Sequence, residues 1–493
     1  MIHADMLRSV ISEEVYPASV TAQNDVTYFL VRDGIEKYLC ILTEKGHPVP
    51  EGFAGDIREV TLDGADHTLL VAGTTHENAA ALRRVLSFTR PVVQGIKKAA
   101  GLGDRLGIAT PGHVRAMAGS SMVPFLAQQS IREMSRTGRT PREVIDTATW
   151  GVFQEGFKDG FGSDADHLKT VEDAVACLVA GFTMFTVDPG DHVDDGADGY
   201  DASALEEKLD ALPWDELEIS ASDCRSGYVG SEITLASGEA LTFSDEDFSR
   251  AAVKYGCAVA HTAGMWRALE EKSVGRPFEM EMSVDETATA TSAHAHYFVA
   301  NELKRLGVKL VSLAPRFVGR FEKGVDYIGD LGAFEASFKQ HVAIANTLGP
   351  YKLSLHSGSD KFTVYPIAAA CAGDLVHLKT AGTSYLEAVR AIGGVDPAFF
   401  REILDLAIDR YEEDKKTYHV SAELSKVTRP EDLKEGEEQS VLDSFDARQV
   451  LHVTYGSALD SYRARIMRVL RTNEEAHYDV LQKHLSRHVT PFA

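Results

Sequence analysis

The sequence has few cysteines, and none has the spacing of a disulfide framework. Its 493 residues include five, at positions 40, 177, 224, 257 and 371, with no Cys-x-x-Cys pair. An odd number of scattered cysteines argues against the disulfide-rich secreted class and is typical of reduced thiols in a protein core. We therefore expect a cytoplasmic protein.

The sequence also lacks the segments that membranes and nucleic acids require. No apolar run reaches the roughly 20 residues of a membrane-spanning helix, and the first six residues lack the basic and apolar regions of a secretory leader. The net charge is −24, and Lys and Arg are nowhere concentrated enough to neutralise phosphates. We expect neither a membrane nor a nucleic acid as partner, whereas a small anionic substrate needs only local cations.

A dinucleotide-binding turn is missing as well. Gly101-Leu102-Gly103 supplies the first two glycines of Gly-x-Gly-x-x-Gly but not the third. Chemistry that needs a nicotinamide cofactor is therefore disfavoured.

The chain is long enough for a large α/β domain with additions. Strand-like runs at 28–31, 38–42 and 67–72 predict a small α/β domain over residues 1–90. A larger domain is predicted over 91–395, with an acidic insertion at about 190–275 whose Asp-rich start indicates a solvated loop. Residues 396–493 predict a mostly helical extension with one strand-like piece at 450–456.

The larger domain has short strands that alternate with helical patterns. The predicted strands are 106–109, 122–126, 161–166, 183–188, 278–284, 308–313, 351–356 and 375–380. Such alternation is typical of a parallel sheet, and eight strands are enough to close a barrel. We therefore predict an α/β protein with a (β/α)8 TIM-type barrel, and a doubly wound open sheet is the alternative.

The fifth predicted strand has one apolar and one acidic face. Apolar residues at 278, 280, 282 and 284 alternate with Glu279, Glu281, Ser283 and Asp285. A barrel strand buries its outer face under helices, so the acidic set should point inward, where carboxylates need cations, a metal or substrate. An edge strand with a solvated acidic face is the alternative.

The most specific pattern is the stretch 162–170, GSDADHLKT. Asp166 and His167 stand before an apolar-periodic helix, at the end of a strand, where a carboxylate and an imidazole can meet over a metal or a substrate. A helix-capping role for Asp166 is the alternative. Two later strands end similarly, one at His356 and a small-residue turn with Ser357, the other at Lys379.

Together these strand ends resemble the zinc-dependent class II fructose- and tagatose-bisphosphate aldolases. In that family an Asp-His pair after the third strand supplies a proton-shuttling acid and a metal ligand, and a later strand ends on another histidine ligand. The segment 308–316 departs from the family because it lacks a histidine where the aldolases have a ligand. Glu281 is the expected replacement, followed by Asp285 and His377.

A closer resemblance is to the tagaturonate epimerase family, which interconverts tagaturonate and fructuronate. The stretches that carry it are 103–107 (GDRLG), 109–113 (ATPGH), 164–169 (DADHLK), 283–287 (SVDET), 353–361 (LSLHSGSDK) and 452–456 (HVTYG). The two sugars differ at the carbon β to the ketone, whose hydrogen is not acidic, so simple proton abstraction cannot epimerise it. Retro-aldol cleavage followed by re-addition to the other face can, and it requires a Lewis-acidic metal and one acid/base.

The resemblance implies roles for individual residues. Asp166 would be the catalytic acid/base, and His167, His356 and Glu281 would hold a divalent metal, zinc before manganese, nickel or cobalt. The substrate carboxylate requires cations. The expected substrate-binding residues are Lys379 and Arg316 first, then Arg105, Lys361, Ser357, His113 and His452.

Two other functions stay open. A class II sugar aldolase would use the turn at Ser357 for a phosphate, and a non-catalytic barrel subunit would need no stoichiometric metal. The expected partner is a small ketohexuronate or ketohexose, and a homo-oligomer is left open.

Overall fold

The computed structural model describes residues 2–493, in which an antiparallel sheet comes first along the chain. Its strands run in the order β1-β3-β4-β6-β5, and β2 pairs with β3. Their bounds are β1 Glu14–Val15, β2 Thr21–Gln23, β3 Val26–Asp33, β4 Glu36–Glu44, β5 Asp56–Leu62 and β6 Ala65–Gly73. The three runs predicted as strands near the N-terminus all lie in this sheet.

Eight parallel strands then close into a barrel, in the order β10-β13-β14-β15-β16-β7-β8-β9. A short antiparallel hairpin, β11 Glu232–Thr234 with β12 Ala240–Thr242, stands outside it. The barrel strands are β7 Ala99–Gly101, β8 Val123–Ser130, β9 Gly162–Leu168, β10 Met184–Val187, β13 Glu279–Ser283, β14 Leu310–Ala314, β15 Lys352–Leu355 and β16 Val376–Lys379. The predicted TIM-type barrel is therefore confirmed, and the open sheet is not.

Helices cover the barrel and form most of the C-terminal region. They are α1 Ala4–Leu7, α2 His76–Val85, α3 Thr110–Met117, α4 Ile131–Thr137, α5 Pro141–Gln154, α6 Val171–Ala180, α7 Ala202–Asp210, α8 Ala221–Tyr228, α9 Asp245–Ser273, α10 Ala293–Arg305, α11 Leu331–Leu348, α12 Tyr365–Ala372, α13 Thr383–Val395, α14 Pro397–Asp414, α15 Phe445–Val453, α16 Tyr455–Thr472 and α17 Glu474–Val489. Within residues 2–493, no helix combines the length and the apolar character that crossing a bilayer requires.

The first predicted barrel strand is wrong. Residues 106–109 form a turn, because the carboxylate of Asp104 accepts hydrogen bonds from the backbone N–H groups of Leu106, Gly107 and Ala109. The strand at this place in the barrel is the three-residue β7, made of two alanines and a glycine. Such residues have low strand propensity, so local sequence does not mark it.

The strand predicted at 450–456 is also wrong. This segment contains the end of α15 and the start of α16, joined at Thr454. Val450, Leu451 and Val453 are all buried between helices. Burial on every side removes the helical period from the sequence, so β-branched residues alone suggested a strand.

Strand β13 has the two faces that its alternation predicts. Met280 and Met282 are fully buried in the core shared with the surrounding helices. Glu281 is also fully buried, and its carboxylate lies 2.7 Å from the ammonium of Lys379 on β16. The acidic face therefore points into the barrel, where a cation compensates it.

Candidate active site

A polar cavity opens at the C-terminal ends of the barrel strands. Parallel strands bring the side chains at their C-terminal ends to one mouth, and this face carries the active site of TIM-barrel enzymes. Its lining includes Asp166, His167, His356 and Lys379 from the barrel, and Tyr418 and His452 from the C-terminal region.

Asp166 and His167 are adjacent in β9, yet both side chains line the cavity. Successive side chains of a regular strand point to opposite faces. His167 has a φ of +52°, in the left-handed region, and the pairing of β9 with β10 is irregular beside it. This break in the strand lets the acid and the imidazole face the same space, and left-handed backbone at a non-glycine residue is a strain that clusters at functional sites.

Asp166, His167 and His356 form a group that fits a metal ion. One ligand atom from each lies within 4.8 Å of the other two. Two imidazole nitrogens and one carboxylate oxygen suit zinc and related divalent ions, and three protein ligands leave a position open for substrate.

Carboxylates orient both imidazole rings of this group. Asp188 Oδ2 lies 3.4 Å from Nδ1 of His167, and Asp285 Oδ1 lies 3.1 Å from Nδ1 of His356. Nε2 of His167 faces the carboxylate of Asp166 at 4.0 Å. Histidine ligands of metals commonly have such a carboxylate on the second ring nitrogen, where it fixes the tautomer.

Glu281 lies beside this group and contacts one of its histidines. Its Oε1 is 2.6 Å from Nε2 of His356 and 2.7 Å from Nζ of Lys379. Burial alone would lower the pKa of His356, but Asp285 and Glu281 on its two ring nitrogens raise it to about 10. His377, a further substitute ligand suggested by the sequence, is buried inside the barrel, and its Nδ1 lies 3.9 Å from Glu281 Oε2. Neither ring nitrogen has a hydrogen-bond partner among residues 2–493.

Lys379 is the cation at the centre of the barrel mouth. Its Nζ lies 2.8 Å from Asp164, 2.9 Å from Asp166 and 2.7 Å from Glu281. Burial would lower the pKa of this ammonium, but the three carboxylates raise it well above the usual value. The ammonium therefore stays charged, and its partners are carboxylates of the protein itself.

The carboxyl groups around Lys379 differ in their pKa values. Burial raises the pKa of Asp164 to about 6, with help from the negative charges of Asp166 and Glu281. Burial also acts against the ionised form of Asp166, but Lys379 and the two neighbouring histidines lower its pKa below the ordinary range. Gln128 Nε2 donates to Asp166 Oδ2 at 2.8 Å. Asp166 is thus held ionised, with one anchor on each oxygen.

Arg105, Ser357 and His452 also line the cavity, as the sequence predicts for substrate-binding residues. Arg105 is buried, stacks 3.8 Å above the ring of Tyr455 and pairs with Glu133 through Nε at 2.7 Å. Its Nη1 has no hydrogen-bond partner in the described part of the chain. An unpaired guanidinium nitrogen beside a cavity is suited to bind an anionic group of a ligand.

Three other predicted substrate-binding residues do not line this cavity. Lys361 is fully buried, and its Nζ donates to backbone carbonyls, among them Glu322 at 2.7 Å and Ser359 at 3.0 Å. His113 is fully buried against Ser384. Arg316 lines a neighbouring cavity that shares His356 and Ser357 with the first one.

Several cavity residues were not predicted from the sequence. Gln128 lies on β8, which continues to Ser130, four residues beyond its predicted end, and a longer strand would have placed this side chain at the mouth. Lys323 comes from the long segment after β14 and donates to Ser357 Oγ at 2.6 Å. Tyr418 comes from the segment after α14. The local pattern around the last two residues gives no sign that they reach the barrel.

A second group with metal-ligating side chains, Asp360, His484 and His488, serves a structural purpose. His484 Nε2 lies 2.6 Å from Asp360, and Arg448 holds the same carboxylate at 2.9 Å. The backbone N–H of Asp360 donates to Nε2 of His488 at 2.9 Å. None of the three residues lines the cavity, and the network fastens α15 and α17 to the turn that follows His356.

Comparisons with known proteins give matches along nearly the whole chain. The sequence model of the tagaturonate epimerase family, UxaE, matches residues 16–492. The tagaturonate/fructuronate epimerase of Thermotoga maritima is 44% identical over 478 residues, which cover 97% of this chain and 96% of that protein.

Solved structures give the same result. Two crystal structures of the fructuronate-tagaturonate epimerase UxaE from Cohnella laeviribosi match with a TM-score of 0.90 at 35% identity. One is a complex with one glycerol, and the match covers 97% of this chain and 96% of that chain. The other is the native form, with 99% of this chain and 98% of that chain covered.

Proposed function

Because the chain belongs to the tagaturonate epimerase family, we propose that it interconverts D-tagaturonate and D-fructuronate by breaking and re-forming one carbon–carbon bond. The chain is an isomerase. One observation carries the proposed chemistry, namely that a carboxylate and two imidazoles converge within 4.8 Å at the barrel mouth. Family membership favours this function over the aldolase and the non-catalytic subunit.

The reaction inverts the carbon β to the ketone, which bears a hydroxyl group. Removal of the hydroxyl proton turns this carbon into an aldehyde as its bond to the α carbon breaks, and the electron pair of that bond passes into an enediolate. The aldehyde then rotates and the bond re-forms on its other face, where the new alkoxide takes back the proton. Atoms and electrons balance without an external oxidant or reductant.

Asp166 is our candidate for the group that moves this proton. Lys379 on Oδ1 and Gln128 on Oδ2 hold the carboxylate in one orientation, and the ammonium keeps it ionised and ready to accept a proton. A base with a lowered pKa is weak, so it is effective only on a hydroxyl whose acidity is raised in the site.

We assign the metal to His167 and His356 with Asp166 beside them, and Glu281 is the expected replacement for the histidine ligand of the aldolases that this chain lacks. A divalent cation, zinc before manganese, nickel or cobalt, supplies a Lewis acid that stabilises negative charge on the substrate oxygens. Asp188 and Asp285 keep the two rings oriented, since each carboxylate lies against an Nδ1 atom.

Arg105 is our candidate for binding the substrate carboxylate. It is the predicted cation that lines the cavity with an unpaired guanidinium nitrogen, and Lys323 lies in the same wall. The ammonium of Lys379 is already surrounded by three carboxylates, so we reassign it from substrate binding to positioning Asp166.

An epimerase of this kind must keep the cleaved fragments together until the bond re-forms, and His452 and Tyr418 from outside the barrel line the cavity. The buried His452 ring lies so close to Gly382 that a Cβ there would overlap it, at 2.0 Å from its Cε1. Tyr418 adds a second side chain from outside the barrel. The five free cysteines support our proposal of a cytoplasmic location.

The test is conversion of tagaturonate in D₂O, followed by proton NMR. We expect fructuronate to appear with its original hydrogen on the inverted carbon, because that hydrogen stays attached through the aldehyde. Deuterium at this carbon would contradict carbon–carbon cleavage and indicate proton abstraction. Absence of any conversion by metal-loaded protein would contradict the epimerase itself.

Arg105→Lys should weaken recognition of the substrate carboxylate. The variant keeps a positive charge but loses the planar fork, so we expect KM for tagaturonate to rise roughly 10- to 100-fold, since a charge-assisted hydrogen bond contributes about 1.5–3 kcal/mol. Steady-state kinetics with tagaturonate and with neutral tagatose give the measurement. The ratio of kcat/KM for tagaturonate to kcat/KM for tagatose should decrease in this variant. The exposed control Arg463→Lys should keep the wild-type ratio. An unchanged preference would remove Arg105 from the binding site.

Asp188→Asn should weaken metal binding without removing any of the residues that line the cavity. Loss of the carboxylate on Nδ1 of His167 is expected to lower metal affinity by roughly 10- to 100-fold. Competition with a chromophoric chelator measures this affinity independently of activity. The neighbouring Asp191, which is exposed and pairs with Lys169, provides the matched control Asp191→Asn. Equal affinities of the two variants would count against an orienting role.

A further inference from the structure

Helix α9 connects the acidic insertion with an arginine-lined groove at the end of the barrel where the strands begin. From the charge, exposure and placement of these two surfaces, we propose that the protein forms a twofold-symmetric dimer in which the groove of each copy binds the acidic insertion of the other. The proposal is independent of the catalytic chemistry.

The groove lies on the side of the barrel where the strands begin. Its walls come from α2, the segment before β7, the end of α6 and the segment before β13. Three of its apolar side chains are exposed, with Val179 at 62%, Val92 at 39% and Val93 at 36%. Contiguous exposed apolar surface of this kind marks interaction sites.

Four arginines surround this apolar floor, namely Arg84, Arg90, Arg142 and Arg276. All four are exposed, and none has an ion pair or a side-chain hydrogen bond with any residue of the described chain. Such a cluster is unusual in a protein of net charge −24, in which acids outnumber bases by 74 to 50. Arginine beside apolar side chains is the composition enriched at protein interfaces.

The opposite charge is concentrated in the insertion. Residues 191–247 contain 17 acidic and two basic side chains, a net charge of −15 out of −24 for the chain. Glu207 and Asp210 on α7, followed by Asp215 and Glu216, are exposed and form no ion pair within residues 2–493. We call this set, residues 207–216, the acidic ridge.

Helix α9 connects the two surfaces. The acidic ridge packs on it through Leu212, which fits against Gly256, and Glu218, just beyond the ridge, pairs with Arg267. Gly256 stands 17 residues before the end of the helix at Ser273, which is about 26 Å at 1.5 Å per residue, and Arg276 in the groove wall follows that end directly. The ridge and the groove therefore lie at different heights along the same helix.

The charges of the two surfaces indicate which molecule binds in the groove and which symmetry relates the two copies. Groove against groove would bring the arginines of both copies together, and ridge against ridge would do the same with the acids. A twofold axis between the two surfaces pairs groove with ridge and ridge with groove at once, which is the reciprocal pattern of a closed dimer. A second copy of this acidic chain therefore satisfies the unpaired charges of both surfaces.

Two charge-reversal variants of the full-length protein test the proposal. The groove variant is Arg84→Glu with Arg276→Glu, the ridge variant is Glu207→Arg with Asp210→Arg, and Arg468→Glu on an exposed face of α16 is the control. Light scattering after size exclusion should give a two-chain mass for the wild type and the control. Each double variant should raise the dimer dissociation constant by roughly 100-fold or more, because like charges then meet twice.

Mixing the two variants gives the decisive result. A groove variant and a ridge variant together present opposite charges at both contacts, so an equimolar mixture should recover the two-chain mass that neither shows alone. Circular dichroism melts verify that all the variants are folded. A monomeric wild type, a dimer that persists in either double variant, or a mixture that stays monomeric would each overturn the proposal.

Discussion

Asp166→Asn is expected to lower kcat for the conversion of tagaturonate to fructuronate by about 10³-fold, within the range that a positioned acid/base contributes. The amide has the same shape but cannot accept the hydroxyl proton. Lys379 keeps two carboxylate partners, Asp164 and Glu281, so the barrel mouth should remain intact. Steady-state kinetics in both directions measure the effect.

The metal content of Asp166→Asn shows whether the substitution removes a proton carrier or a metal ligand. If Asp166 acts mainly as a proton carrier, the variant should retain a stoichiometric ion through His167 and His356, as measured by elemental analysis. The matched control is Asp146→Asn, a buried aspartate that pairs with Arg83 and lines a different cavity. Full activity of Asp166→Asn would contradict the acid/base role, and loss of the ion would reassign this carboxylate to metal binding.

The barrel could be predicted because its strongest signals are local. In β13 the period-two alternation of methionine with acidic residues fixes which face is buried, and the structure places Glu281 inward, as expected. The alternation of strands with helices then limits the sheet to a parallel one.

Two strand predictions failed because packing outweighs local preference. The strand β7 has no β-branched residue and is defined by its two neighbours in the closed barrel, β16 and β8. At 450–456 the β-branched residues suggest a strand, but burial among helices determines the outcome. A short apolar run does not by itself distinguish the two structures.

The residues of the candidate site also differ in whether local sequence could predict them. Asp166, His167, His356 and Lys379 could be found because they stand at strand ends, which the barrel brings to one mouth. Lys323 and Tyr418 arrive from segments outside the strands, and their contacts depend on how those segments fold over the mouth. The sequence also suggested Lys379 as a partner for the substrate, whereas three carboxylates surround its ammonium.

Removal of the metal should also have a large effect on activity. Dialysis against a chelator is expected to abolish epimerisation to below about 1% of the loaded activity, since a Lewis acid contributes several kcal/mol to stabilising the charge that develops on oxygen. Zinc, manganese, cobalt or nickel added back should restore it, and the ion that restores most activity identifies the preferred metal. A chelated enzyme at full activity would contradict the proposed chemistry.

Histidine variants locate the ion in the structure. His167→Ala combined with His356→Ala should lose the bound metal, whereas the exposed control His47→Ala should bind one ion per chain. Saturation with metal at about 100 times its dissociation constant adds about 2.7 kcal/mol to the free energy of unfolding, so a metal-dependent rise in melting temperature should be present in the control and absent from the double variant.

One ion that remains in the double variant and is lost with His488→Ala would instead place the metal in the buried cluster with Asp360, where the donor atoms are already occupied by protein partners. The catalytic assignment would then fail, because that cluster lies outside the cavity that contains Asp166.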